Sequence, residues 1–235
     1  GFIDEVRGDS IGGWTDDGPR NDIRNLVPVD CYFGSIGFKI IDPDQNGGKS
    51  CIVLSGPGKE YFPDNVNIKM SGEKLTHLYL LHATSTVPPY PVTVGQISVT
   101  YKNGDTNLVS IKSYQDVNNW WYPEDLPNAA VGWKGINFYS DIGLYVSKHK
   151  INPEPIKSIE IKTTQSGVWM IAAISGSMKD FPLPFQKTRI TGKENLITSV
   201  SDPILEDNQV TWTGKTGAGK KIKFALCQDM ENSFR

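Results

Sequence analysis

Gln96-Ile97-Ser98-Val99-Thr100-Tyr101-Lys102-Asn103-Gly104-Asp105-Thr106-Asn107-Leu108-Val109-Ser110-Ile111 is the stretch that decides the fold class of this chain. Apolar and polar residues alternate on both sides of Asn103-Gly104, the period of two that places one set of side chains on each face of a strand. Asn-Gly supplies the positive φ that a tight hairpin turn demands. The stretch therefore predicts two antiparallel strands and the turn between them.

Outward from this hairpin the same alternation recurs over 36–41, 51–54, 66–70, 75–82, 143–146, 156–161 and 168–174. No window of a dozen residues carries a helical stripe. Short strands separated by Gly, Pro and Asn signals predict an all-β protein, an antiparallel β-sandwich of the jelly-roll kind. The sandwich is expected over residues 1–178. Ser175-Gly176-Ser177-Met178-Lys179-Asp180-Phe181-Pro182-Leu183-Pro184 reads as a linker. Residues 179–235 then form that linker and a short C-terminal β appendage, or the start of a neighbouring module, with strand candidates at 209–213 and 221–225.

A chain of 235 residues is long enough for one large β domain with a proper apolar core. Its formal net charge of −2 provides no basic field for phosphates, so nucleic acid is not an expected partner. No apolar run is long enough to span a membrane. Cys31, Cys51 and Cys227 lack metal spacing and read as buried thiols, with a Cys31–Cys51 disulfide as the alternative. An opening on Gly1-Phe2-Ile3-Asp4 without Met reads as a piece of something longer, so the missing signal peptide does not argue for the cytoplasm, and the expected location is extracellular or at the cell surface.

Two motifs imitate known chemistry and fail on context. Gly214-Lys215-Thr216-Gly217-Ala218-Gly219-Lys220 has the spacing of a phosphate-binding loop, but Lys221 stands where Ser or Thr is required and strand-like alternation follows instead of a helix. Asp42-Pro43-Asp44-Gln45-Asn46-Gly47 copies half of a calcium loop, yet Val53 occupies the position of the bidentate acid, and a plain turn explains the same residues.

Trp14-Thr15-Asp16-Asp17-Gly18-Pro19-Arg20-Asn21-Asp22-Ile23-Arg24-Asn25 gathers oxygen ligands suited to a hard cation or to a sugar's hydroxyls, with Asp16, Asp17, Asn21 and Asp22 as candidate metal ligands. The competing reading is a loop held by its own side-chain hydrogen bonds, with Arg20 and Arg24 paired to the acids. Catalytic carboxylates are not expected. Neighbours such as Asp16 and Asp17, or Glu124 and Asp125, point to opposite faces of a strand and do not flank one bond. His77 and His82 lie at an odd spacing in one strand, and His149 falls in a Lys-rich turn.

Asn118-Asn119-Trp120-Trp121-Tyr122-Pro123-Glu124-Asp125-Leu126-Pro127, with Val131-Gly132-Trp133, concentrates three of the six tryptophans in what reads as a loop. Flat apolar rings with polar handles suit the C–H faces of sugars, and neighbouring polar groups orient hydroxyls. The candidate ligand-binding residues are Trp120, Trp121, Tyr122, Asn119, Glu124, Asp125 and Asn137. Consecutive rings cannot all face one way, so either Trp121 anchors inward while Trp120 and Tyr122 face solvent, or the reverse. Trp133 reads as core or support.

The residues Gly13-Trp14-Thr15-Asp16-Asp17-Gly18-Pro19-Arg20-Asn21-Asp22, Ile36-Gly37-Phe38-Lys39-Ile40-Ile41-Asp42-Pro43, Gly48-Lys49-Ser50-Cys51-Ile52-Val53-Leu54, Leu80-Leu81-His82-Ala83-Thr84 and Asn152-Pro153-Glu154-Pro155-Ile156 resemble a recurring bacterial module. It is similar to the galactose-binding-like jelly rolls attached to polysaccharide-degrading enzymes, over residues 10 to 175. The resemblance implies a β-sandwich, a structural Ca²⁺ and carbohydrate binding through end loops. The leading expectation is thus a non-catalytic carbohydrate-binding module, with polysaccharide or oligosaccharide and a parent catalytic domain in the same chain as partners. A spacer sandwich docking on that catalytic domain is the alternative, and a glycan-active enzyme the third reading.

Overall fold

The computed structural model describes residues 1–185, 197–206, 209–216 and 221–227. The first compact unit, Gly1–Gln186, holds β1 (Asp30–Phe33), β2 (Ile36–Lys39), β3 (Ile52–Leu54), β4 (Asn65–Lys69), β5 (His77–Ser85), β6 (Thr93–Tyr101), β7 (Thr106–Lys112), β8 (Ala129–Ile136), β9 (Asp141–Lys150), β10 (Ile156–Thr163) and β11 (Val168–Ser177). Every strand expected from alternation is present. β1 and β8 are additional.

Two antiparallel sheets, in the orders β4-β10-β6-β7 and β3-β11-β5-β9-β8, form the sandwich. The chain passes from one sheet to the other between β3 and β4, β4 and β5, β5 and β6, β7 and β8, β9 and β10, and β10 and β11, which is jelly-roll-type connectivity. The deciding hairpin pairs Thr100 with Thr106, and Gly104 takes φ +95° in the turn. β10 shows why alternation was readable: Ile156, Ile159 and Ile161 are buried while Lys157, Glu160 and Lys162 are exposed. Ile97 and Val99 from β6 join Leu78, Leu80, Trp169 and Ile171 from the other sheet in one core. The sheets approach closely enough that a Cβ on Gly95 would lie 2.5 Å from the Trp169 ring.

The five-stranded sheet is different, because nearly all of β5 and β9 is buried on both faces. Its outer side is covered by the N-terminal segment: Trp14 packs on Trp120, Phe33 lies against Gly132, and Ser175 Oγ donates to the Gly37 carbonyl. Phe2, Ile23, Leu26, Ile36, Phe38 and Ile40 are buried with them. This burial accounts for the unbroken apolar run Leu78-Tyr79-Leu80-Leu81.

Residues 175–184 are not a free linker. Ser175–Ser177 complete β11, the Phe181 N–H donates to Tyr79 Oη at 2.8 Å, and Lys148 Nζ pairs with Asp180 at 2.6 Å. Cys31 and Cys51 are both free thiols, so the disulfide alternative is not realised. The second unit, Lys187–Arg235, contains β12 (Ile197–Val200), β13 (Ile204–Glu206), β14 (Gln209–Thr216) and β15 (Lys221–Cys227). β12 and β13 pair with opposite ends of β14, while β15 pairs with it from Gln209 to Lys215. Of the phosphate-loop imitation, residues 214–216 belong to β14 and Lys215 pairs opposite Lys221 of β15, so a strand and no helix follows; residues 217–220 lie outside the described residues.

Candidate functional site

Trp121 is the ring around which a cleft is built. Its indole lies near-parallel to Tyr139, with centroids 6.3 Å apart and planes 25° apart, and its Nε1–H donates to Asn21 Oδ1 at 3.2 Å. Local geometry fixes the backbone beneath it, since Asn119 Oδ1 accepts the Trp121 N–H at 2.9 Å. Asn21 is a junction. Its Oδ1 also accepts Asn137 Nδ2 at 2.8 Å, and its Nδ2 donates to Asp17 Oδ2 at 3.1 Å, which fixes the orientation of the amide.

The cleft has a volume of about 470 Å³ and forms where the N-terminal segment meets four inter-strand connections. Trp120, Trp121 and Tyr139 supply its aromatic surface, and Asn119, Asn21, Thr15 and Asp17 its neutral and acidic polar groups. Arg7 and Lys59 add positive charge, and Ser85 and Thr86 close one side. Thr86 sits at φ +59°, an uncommon conformation for a β-branched residue and one that concentrates at ligand sites.

The sequence candidates separate when placed in this frame. Trp120 is buried, 3% exposed, and packs edge-on against Trp14 at 5.2 Å, so it backs the cleft from the core. Tyr122 is 69% exposed but lines a different, smaller cleft with Glu124 and Lys134. Asp125 Oδ1 accepts the Val131 N–H at 2.8 Å and holds the start of β8. Asn137 shapes the β8–β9 turn, accepting the N–H groups of Tyr139 and Ser140. Trp133 is half-buried in β8 and packs against the core, as support. Arg7, Thr15, Lys59, Ser85, Thr86 and Tyr139 are cleft residues that sequence reasoning missed. Only Phe138-Tyr139 beside Asn137 carried a signal, a pair of exposed aromatics in a turn.

The four predicted metal ligands do not converge. Asp17 and Asn21 bond each other at the cleft, whereas Asp22 accepts the Asp4 N–H at 3.0 Å and pairs with Arg24 at 2.8 Å. Asp16 instead meets Asp4 and Asp9, with one carboxylate oxygen from each lying within 4.8 Å of the others. Asp42 caps a single 3₁₀ turn, Pro43–Gln45, by accepting the Asp44 N–H.

A larger cleft of about 670 Å³ lies between β7, β9 and residues 182–185, and His149 faces it. His149 is a β9 residue, buried, because β9 runs past Val146 and Ser147-Lys148-His149 continue its alternation. Ser147 Oγ stands 2.9 Å from His82 Nε2 and 2.8 Å from His149 Nε2. Trp169 Nε1–H donates to His82 Nδ1 at 3.1 Å, so the His82 proton sits on Nε2, shared with the Asp116 carbonyl and Ser147, and Ser147 donates to His149. Burial, then the neighbouring His149, lowers His82 to about 3; burial also lowers His149 to about 4, against the pull of Asp116. With Ser147 and His82 fully buried, this chain of bonds is a polar network that runs inward from the cleft wall at His149 and Asp116 into the core.

Compared with family models and with curated proteins, the chain matches none. Among the described residues, no helix is long and apolar enough to cross a membrane.

Proposed function

We propose that the chain is a non-catalytic carbohydrate-binding module, holding polysaccharide in the cleft walled by Trp121 and Tyr139. The supporting observation is the near-parallel pair of rings beside Asn119, Asp17 and Thr15 in an open cleft of about 470 Å³. That combination suits a sugar, whose C–H face needs flat apolar area and whose hydroxyls need convergent donors and acceptors. The larger cleft beside His149 draws on Phe185, Pro182 and Leu183 and has no stacked rings, so it suits a sugar less well.

On this reading Trp121 and Tyr139 form the platform, with Trp120 as its support. A parent glycoside hydrolase in the same longer chain is the natural beneficiary, since a module of this kind keeps an enzyme on its substrate. Affinity is expected at roughly 10 µM to 1 mM, because one or two stacked rings and a few hydroxyl bonds must offset ordering costs. Affinity electrophoresis through a panel of plant and algal polysaccharides tests the proposal. Retardation of the wild type by at least one glycan, lost in Trp121→Ala, supports it; no retardation by any glycan transfers the weight to a spacer domain, and release of products makes the protein an enzyme.

A further inference from the structure

We infer that Asp4, Asp9 and Asp16 form a Ca²⁺ site that pins the N-terminal segment to the loop carrying the cleft residues Thr15, Asp17 and Asn21. The inference stands independently of what the cleft binds.

The decisive group is Asp4. It is fully buried, its Oδ2 accepts the Gly18 N–H at 2.8 Å, and its Oδ1 has no hydrogen-bond partner. A buried carboxylate oxygen without a donor is costly, and a coordinating cation removes that cost. The backbone is shaped to create this situation. Gly13 runs so close to Asp4 that a Cβ there would lie 2.3 Å from the Asp4 Cβ, and Gly12 turns at φ +85°. A larger residue at position 13 would push Asp4 away from the other two carboxylates.

Asp16 is also buried and is aimed by its neighbours, its Oδ1 accepting the N–H groups of Gly8 at 2.9 Å and Ser10 at 3.2 Å. Its Oδ2 lies 3.4 Å from both Lys59 Nζ and Tyr61 Oη. Burial raises the Asp16 pKa, but Lys59 and those N–H groups outweigh it and hold the carboxyl below its ordinary value. Asp9 is exposed and closes the group from the solvent side, its Oδ1 accepting the Ile11 N–H.

Geometry and charge agree on the ion. Oxygens bound to one Ca²⁺ at about 2.3–2.6 Å can be at most about 5 Å apart, and the three here fall within 4.8 Å. Three carboxylates against the Lys59 ammonium leave two negative charges, the complement of a divalent cation. Ca²⁺ tolerates an irregular loop with water completing its shell through the open Asp9 side, whereas Mg²⁺ demands near-ideal octahedral geometry. With three protein carboxylates, a Kd of about 10⁻⁵ to 10⁻³ M is expected.

The test uses the full chain stripped with EDTA. Adding CaCl2 should raise the melting temperature by about 5 °C or more once the free ion is a hundredfold above Kd, with MgCl2 giving a smaller rise. Tb³⁺ should luminesce when excited through Tyr61, whose hydroxyl lies at the site, and Ca²⁺ should quench it. Asp9→Asn, a change at an exposed position, should leave melting in EDTA near the wild-type value while weakening Ca²⁺ at least tenfold. Asp4→Asn should abolish the Ca²⁺ response. No Ca²⁺-dependent shift and no Tb³⁺ signal in the wild type would overturn the site. Wild-type Ca²⁺ affinity in Asp9→Asn would equally overturn it, by moving the ion elsewhere.

Discussion

Trp121 Nε1 donates to Asn21 Oδ1 across 100 positions of sequence, and that bond joins the N-terminal loop to the aromatic loop. The ring that stacks on Tyr139 is therefore oriented by a residue from the other side of the cleft. Asn21→Ala would leave the Trp121 and Asn137 donors unpaired, at a cost of about 1–3 kcal/mol in a denaturant melt. Asn21→Asp keeps the acceptor but sets a carboxylate against Asp17. Adding Asp17→Asn to it should restore most of the stability, because the pair can again donate and accept; a double-mutant cycle with no coupling would remove Asn21 from this role.

Trp120 and Tyr122 flank Trp121 yet should behave oppositely. Trp120→Ala empties a buried ring site against Trp14 and should cost about 3–5 kcal/mol. Tyr122→Ala removes a largely exposed ring and should stay within about 0.5 kcal/mol of the wild type. Equilibrium urea unfolding of both variants separates these expectations, and equal losses would contradict the placement of the two rings.

Acid sensitivity should come from the His82–Ser147–His149 network. Burial keeps both histidines neutral in the fold, at about 3 for His82 and about 4 for His149, while an unfolded histidine titrates near 6.5. The unfolded chain thus takes up protons that the folded chain refuses. Their contribution is complete above about pH 6.5, falls as pH drops from there toward 4, and is lost below the folded values. Between pH 7 and pH 5 the protein should lose about 2–4 kcal/mol of stability, read from urea midpoints. His149→Gln should flatten that slope. Asp64, held low by the Ser55 hydroxyl, and Asp180, held low by Lys148, titrate beneath this window.

The sandwich was legible because strands such as β10 expose one face and alternate cleanly. β8 was not, since Ala129-Ala130-Val131-Gly132-Trp133-Lys134-Gly135-Ile136 has no period of two and shifts register between Val131 and Trp133. Losing β8 hid the β8–β9 turn, and with it the approach of Tyr139 to Trp121. Sequence alone put Trp120 and Tyr122 on one side, both outward or both inward, yet Trp120 is buried and Tyr122 exposed, because the partner of Trp120, Trp14, lies in a segment without strands, folded over the sheet by contacts that no local pattern encodes. Asp4 and Asp16 were separated for another reason, since both lie in the N-terminal segment. The acidic loop was visible as a cluster, but which of its members converge depends on a chain reversal at Gly12-Gly13 that brings a residue from outside the cluster.

Calorimetric titration of Tyr139→Ala and Tyr122→Ala with the glycan that best retards the wild type tests the central claim most directly. Both rings are exposed, so both variants should fold. Tyr139→Ala should bind at least about tenfold more weakly, a loss of about 1.4 kcal/mol, and Tyr122→Ala should bind like the wild type. Unchanged affinity in Tyr139→Ala would contradict a sugar site at the Trp121–Tyr139 cleft.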